Sequence, residues 1–197
     1  MTPSFWKNRS VLLTGHTGFK GAWIAFWLER LGAKVTGYAL DPTPEHWLYD
    51  ELGLADRIDD RRGNLNDQAC LMSIIKSIEP EIVVHMAAQA IVRESYLNPI
   101  ETYTTNVIGT ANLLDCLRLQ PSVKAVLVVT SDKCYENSET GAAFYENDRL
   151  GGHDPYSSSK ACAELVVQAF RDSFFREKTP VVGLATARAG NVIGGGD

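Results

Sequence analysis

Apolar residues fall along the chain in short unbroken runs. Each run is followed by a glycine or polar turn, then by a stretch with helical spacing. Ser10-Val11-Leu12-Leu13-Thr14 predicts a first strand, broken at Gly15. Ala22 to Leu28 is apolar around most of a helix, and Gly32 is placed to end it. Lys34–Ala39 reads as a second strand, residues 42–58 as a loop with a short helix, and Asp59 to Leu65 as the place of a short third strand. Asp67 is a good N-cap for a helix through Ile78, with Pro80 just past its end. Ile82-Val83-Val84-His85 predicts a fourth strand. Residues 100–119 predict a long helix with Val107, Leu113, Leu114 and Leu117 on its apolar side. Ala125 to Thr130 is the clearest strand, and residues 135–155 read as an irregular loop. A helix is expected from about Ser157 to Phe175 and a sixth strand from Val181 to Ala187.

Runs of Val, Leu and Ile without alternation suit strands buried on both faces of a parallel sheet. Their alternation with helices predicts an α/β fold, a doubly wound parallel sheet of about six strands. At 197 residues the chain holds one domain, or one domain and part of another.

Composition narrows the class. Hydrophobic residues at 45% and charged residues at 22% exclude a disordered or fibrous chain. A net charge of -5 argues against a nucleic-acid partner. No apolar run reaches the ~18 residues that span a bilayer, so no membrane partner is expected. The first ten residues lack an apolar core with a small-residue cleavage site, so a signal peptide is not expected. Cys70, Cys116, Cys134 and Cys162 are scattered; they suit free thiols in a reducing cytoplasm and give no metal-ligand spacing.

The first candidate chemistry is Thr14-Gly15-His16-Thr17-Gly18-Phe19-Lys20-Gly21, between the first strand and first helix. Gly15 permits a tight turn, Gly18 lets the backbone approach a pyrophosphate, and Gly21 lets helix pack on strand. The helix N-terminus offers N–H groups and a positive dipole end to phosphates. This placement points to a dinucleotide. His16 and Lys20 are within reach of such phosphates, though Lys20 reads equally well as a solvated first-turn side chain. Asp41, near the end of the second strand, is either the acid that holds the adenosine ribose, favouring NAD, or a turn aspartate before Pro42.

The second candidate is Tyr156-Ser157-Ser158-Ser159-Lys160, where the i, i+4 spacing puts both side chains on one helix face. A free tyrosine titrates near pH 10. A nearby ammonium favours the phenolate and lowers that value, so that Tyr156 can take a hydroxyl proton. Thr130-Ser131-Asp132-Lys133 follows the strongest strand at its carboxyl end, where doubly wound sheets place their chemistry. His85 reads as a packed or hydrogen-bonded histidine, and Trp6, Trp23, Trp27 and Trp47 as packing or surface anchors.

Together Thr14-Gly15-x-x-Gly18-Phe19-x-Gly21, His85-Met86-Ala87-Ala88-Gln89, Asn106-Val107-x-Gly109-Thr110 and Tyr156-x-x-x-Lys160 resemble the extended short-chain dehydrogenase/reductase family of nucleotide-sugar epimerases and dehydratases. The resemblance covers essentially the whole chain. It implies NAD as cofactor, held by Gly15, Thr17, Gly18, Phe19, Gly21, Asp41, Asn64, Leu65, Ala87, Ala88, Gln89, Asn106, Tyr156 and Lys160. It implies a nucleotide-sugar substrate lined by Gln89, Arg93, Ser95, Ser131, Arg188 and Asn191. Ser131-Asp132-Lys133 resembles the Thr-Asp-Glu of 4,6-dehydratases, with Lys in place of Glu; together with the His16–Gly21 loop and the closing Arg188 to Asp197 segment it resembles the members that act on CDP-glucose. The implied catalytic set is Ser131, Asp132, Lys133, Tyr156 and Lys160, with no metal. Another nucleotide-sugar 4,6-dehydratase or a 4-epimerase on the same scaffold, and a non-catalytic dinucleotide sensor, are the rival readings.

The resemblance further implies a homodimer through helices 100–119 and 157–175, and a place in surface-polysaccharide (lipopolysaccharide O-antigen) biosynthesis. It assigns residues 1–190 to the dinucleotide-binding domain and 191–197 to the start of a substrate-binding lobe. The chain is therefore expected to be the cofactor half of a larger enzyme.

Overall fold

A computed structural model of the chain describes residues 2–43, 47–137, 141 and 143–196. Asp197, the last residue of the closing segment, lies outside the described residues, as do parts of the 42–58 and 135–155 loops. Six strands form one sheet: β1 (Ser10–Thr14), β2 (Lys34–Ala39), β3 (Asp59–Arg62), β4 (Ile82–His85), β5 (Ala125–Val129) and β6 (Gly183–Ala187). They lie in the order β3-β2-β1-β4-β5-β6, every pair parallel. This is the strand order of the dinucleotide-binding doubly wound fold, whose switch point falls between β1 and β4.

The helices are α1 (Pro3–Trp6), α2 (Phe19–Arg30), α3 (Leu48–Glu51), α4 (Gln68–Ile78), α5 (Val92–Leu97), α6 (Pro99–Tyr103), α7 (Gly109–Arg118) and α8 (Pro155–Phe170). Helix α2 ends as its sequence predicts. Gly32, at φ 84°, sends its N–H to the Glu29 carbonyl, and Ala33 sends its own to Leu28. Those two bonds are the Schellman pattern. The Asp67 carboxylate caps α4 by accepting from the Cys70 N–H at 3.0 Å.

The long helix expected over 100–119 is interrupted. One wide π turn, Thr104–Ile108, joins α6 to α7. A second, Arg171–Phe175, extends α8 to the expected end. Helix α8 also starts two residues early, because Asp154 caps it and Pro155 fills the first helical position. Helix α5 was not foreseen; six residues are too few to show an apolar stripe. Strand β6 begins at Gly183 rather than Val181.

Two apolar layers hold the sheet. Leu71, Ile75, Leu113, Leu114 and Leu117 pack α4 and α7 on one face, with Val167 of α8. Ala22, Ala25, Leu28, Leu48 and Tyr49 pack α2 and α3 on the other. Each fully buried leucine contributes roughly 2 kcal/mol. The expectation of strands buried on both faces holds for β1, whose Val11, Leu12 and Leu13 are fully buried. It fails at β5 and β6, where Leu127 is 38% exposed and Ala185 is exposed. The α2 layer sits over β1 and β2 and does not extend to them.

Candidate active site

The carboxyl ends of the strands gather the sequence motifs at one edge of the sheet. At β1, Gly15 has a φ of +78°, and a Cβ there would lie 2.6 Å from the Ala87 nitrogen. The Ala87-Ala88 turn after β4 therefore lies directly against the glycine loop. A Cβ on Gly21 would stand 1.9 Å from the Gly15 carbonyl oxygen, so α2 closes onto the loop only without a side chain. Gly18 differs, since its added Cβ would meet only the Gly15 oxygen, at 3.6 Å. No side chain caps α2 at Gly18, so no side-chain acceptor is spent on the N–H groups of its first turn. A diphosphate fits that cradle.

Several residues expected to touch cofactor through side chains are spent on the protein. The Thr17 hydroxyl donates to the Leu40 carbonyl at 3.2 Å. Leu65 is buried in the core against Gly109. The Asn64 side chain accepts from the Asn66 N–H at 2.9 Å. Asn106 accepts from the Gln89 N–H at 2.8 Å and donates to the Gln89 carbonyl at 3.0 Å and to Ser159 Oγ at 2.9 Å. It joins the β4 turn to α8. The Gln89 side chain folds back onto Ile91 and Thr102.

His16 is corrected. It is fully buried, its Nε2 sits 2.8 Å from Asp60 Oδ1, and burial lowers its pKa. It reaches β3, away from any phosphate at the loop. Asp41 is 89% exposed, 3.6 Å from Arg62 Nε. His85 is buried between the Thr14 and Thr110 hydroxyls at 2.6 and 3.0 Å, and burial takes its pKa to about 3. It is a neutral packed histidine, as expected.

Across the switch point the site is made of side chains. Tyr156 and Lys160 lie on one face of α8, both 8% exposed, with Lys160 Nζ 6.0 Å from the phenol ring centre. Ser131 caps the short turn Asp132–Cys134 after β5, its hydroxyl donating to Asp132 Oδ1 at 3.1 Å, and it lies near enough to Tyr156 to act on the phenol's pKa. Burial pushes the Tyr156 phenol above its ordinary value, the Ser131 hydroxyl pulls it down, and Asp132 and Asp154 push it up again. The expected lowering by Lys160 is thus not achieved by the protein's own groups. Burial takes Lys160 itself down to about 8, and the Lys20 charge adds to that. Asp132 and Lys133 are exposed beside Ser131. Their acid–base role requires shielding that the described residues do not give.

The expected substrate residues divide. Ser131 is in the site, and Arg93 and Asn191 are exposed. Ser95 is fully buried, its hydroxyl spent on the Val92 carbonyl at 2.6 Å. Arg188 is turned away, paired with Glu164 at 3.0 Å, bonded to the Glu146 carbonyl at 2.9 Å and stacked 4.7 Å over Tyr135. Glu164, two turns along α8 from Tyr156, is the residue that sequence reasoning missed. Its signal was a carboxylate at the same i+4 step beyond Lys160. Among the described residues no cluster could hold a metal ion, and no helix is long and apolar enough to cross a membrane.

A doubly wound dinucleotide fold with a buried Tyr-x-x-x-Lys pair and a serine at the β5 end defines a short-chain dehydrogenase/reductase of the extended, epimerase/dehydratase class. Within it, the chain belongs to the GDP-mannose 4,6 dehydratase family, whose model matches residues 12–181. It is 51% identical to a CDP-glucose 4,6-dehydratase of Salmonella typhimurium, over 98% of this chain and 55% of that protein. It is 31% identical to a Streptomyces dTDP-4-dehydro-6-deoxy-D-allose reductase, over 100% of this chain and 60% of that protein. A UDP-glucose 4-epimerase from Brucella ovis, solved in complex with NAD, is 27% identical with a TM-score of 0.71, over 84% of this chain and 49% of that one. The chain spans about half the length of the curated relatives it matches.

Proposed function

We propose that the full-length protein is a CDP-glucose 4,6-dehydratase, a hydro-lyase that forms CDP-4-keto-6-deoxyglucose and water. The observation that carries this is Ser131-Asp132-Lys133 at the β5 end, facing a buried Tyr156–Lys160 pair. The 51% identity to the Salmonella enzyme supports the choice of nucleotide. NAD fits the glycine cradle, where the Gly15–Gly21 loop would hold its diphosphate; bound there, it would supply reversible hydride storage between sugar C4 and C6. Tyr156 accepts the C4 hydroxyl proton while Ser131 hydrogen-bonds the C4 oxygen. The C4 ketone acidifies C5–H. Lys133, in its neutral form, takes the C5 proton, Asp132, in its acid form, protonates the C6 hydroxyl as it leaves as water, and C5 is reprotonated once hydride has reached C6. Lys160 Nζ stands 6.0 Å from the phenol ring centre, and because the protein's own groups leave the phenol raised, the positive nicotinamide ring would be needed beside it to favour the phenolate.

The same reading places residues 1–190 in the dinucleotide-binding domain and 191–197 on the way to a substrate lobe, with Asn191 and Arg93 reaching the nucleotide sugar. It puts the enzyme in the cytoplasm, supplying deoxysugar for surface polysaccharide. It makes the protein a homodimer through the α6–α7 and α8 faces, where Ile100 (77%), Ile108 (52%) and Leu165 (54%) are exposed. The test is incubation of full-length protein with CDP-, dTDP- and UDP-glucose and GDP-mannose. A 4-keto-6-deoxy product from CDP-glucose alone is expected. An epimerised sugar, or no product from CDP-glucose, overturns the reading.

A further inference from the structure

Tyr156, Lys160 and Glu164 stand at successive i+4 steps, so α8 turns all three to one side. Glu164 is 6% exposed, and a buried carboxylate costs several kcal/mol unless it is paired and bonded. Its partners come from the two strand ends next to the chemistry. Oε1 accepts from the Thr130 hydroxyl at 2.5 Å, immediately before Ser131. Oε2 accepts from the Thr186 hydroxyl at 2.9 Å and from Arg188 at 3.0 Å, both at the end of β6. The strand ends are also joined directly, Thr130 N–H to the Ala187 carbonyl at 2.9 Å and Asp132 N–H to Ala189 at 3.0 Å. Burial opposes the Glu164 charge, yet these donors outweigh it and hold the carboxyl below its usual range. An apolar residue would fill this position at less cost. A carboxylate there spans three elements at once.

We propose that Glu164 is a positioning residue: it ties α8 to the carboxyl ends of β5 and β6 and so holds Ser131 against Tyr156. This rests on the reading of Tyr156 as the proton acceptor. The consequence is specific. Releasing Glu164 lets the Thr130–Ser131 corner drift from α8, and Tyr156 loses the nearby Ser131 hydroxyl that lowers its pKa. Of the other groups facing the phenol, Asp132 and Cys134 belong to the turn that Ser131 caps and move with it, while Asp154 at the helix cap and Lys160 stay with α8; Ser131 acts on the phenol more strongly than Asp132 or Cys134, so its loss sets the direction.

The test uses full-length protein and two variants. Glu164→Gln keeps the shape and removes the charge. Thr130→Val removes one donor, keeps Arg188 paired, and serves if Glu164→Gln does not fold. Each is expected to lower kcat on CDP-glucose about tenfold or more while KM and the Kd for NAD stay within about twofold. In a Ser131→Ala background, Glu164→Gln should cost less than about twofold further, because the path through Ser131 is already cut. Tyrosine labelled with ¹³C at Cζ, with Tyr156 assigned through Tyr156→Phe, should show the phenol titrating at higher pH in both variants. Losses that multiply with Ser131→Ala, or a Tyr156 titration unmoved in both variants, overturn the proposal. If wild-type protein turns over no nucleotide sugar, the functional reading fails, and the Tyr156 titration still decides the positioning role.

Discussion

The two halves of the sheet meet at one site but build their shares of it differently. On the β1–β2 side the ligand edge is backbone. Gly15, Gly18 and Gly21 shape it, while the side chains of Thr17, Leu65 and Gln89 turn inward to hold it. That half carries helices on both faces. On the β5–β6 side the edge is side chain. Ser131, Tyr156 and Lys160 present functional atoms, and Asp132 and Lys133 stand in solvent. There Leu127 is uncovered, and a cavity of about 740 Å³ opens between Asp132, Glu164 and the 143–150 loop. A cofactor that recurs unchanged in every turnover is met by a fixed backbone shape. On the proposed reading, a substrate that is oxidised, dehydrated and released would be met by titratable groups in an open place.

The sharpest way to break this contrast is Tyr156→Phe. It should lower turnover by about 10² to 10⁴-fold, the range of a general base, while NAD binding is kept. Equal loss of NAD affinity would mean that the catalytic side also builds the cradle. Next, Gly21→Ala should destabilise folding by about 3 kcal/mol or more, since its Cβ would sit 1.9 Å from the Gly15 carbonyl. Gly18→Ala should fold normally and bind NAD more weakly. Denaturant midpoints and NAD titrations separate the two.

Lys160→Met should stabilise the ligand-free protein near pH 7 while abolishing turnover. Burial lowers the Lys160 pKa to about 8, so the folded state binds its proton less tightly than the unfolded chain. Stability should therefore be lower by about 3 kcal/mol below pH 8 and recover as pH rises towards 10.4. The gain in the variant should be full at pH 7 and fade by pH 10, as read by chemical denaturation. A constant gain would trace it to packing alone. Smallest, Asp41→Ser should shift preference from NAD towards NADP by about tenfold, through loss of charge repulsion. No shift would make Asp41 a turn residue.

β1, β4 and β5 were legible because continuous Val, Leu and Ile runs mark a parallel sheet, whereas β3 is Asp-Asp-Arg-Arg and carries no such run; Asp67 and Gly32 marked helix ends through local chemistry. What stayed hidden was the partner of each polar side chain. Thr17 meets Leu40, Gln89 meets Asn106, and Arg188 meets Glu164, each across 17 to 24 residues of sequence. No spacing rule reaches that far, so Gln89 and Arg188 read as ligand residues although their side chains are held within the fold. The π turn at Asn106 has no pattern of its own either. The Tyr156–Lys160 pair was legible because both members share one helix.

The most direct measurement follows the hydride. Full-length protein is given CDP-glucose carrying deuterium at C4, and the product is read by NMR. Internal transfer predicts a 4-keto-6-deoxy sugar with that deuterium at C6 and solvent hydrogen at C5. Deuterium returned to C4 of an epimerised sugar, or lost to water, would contradict it.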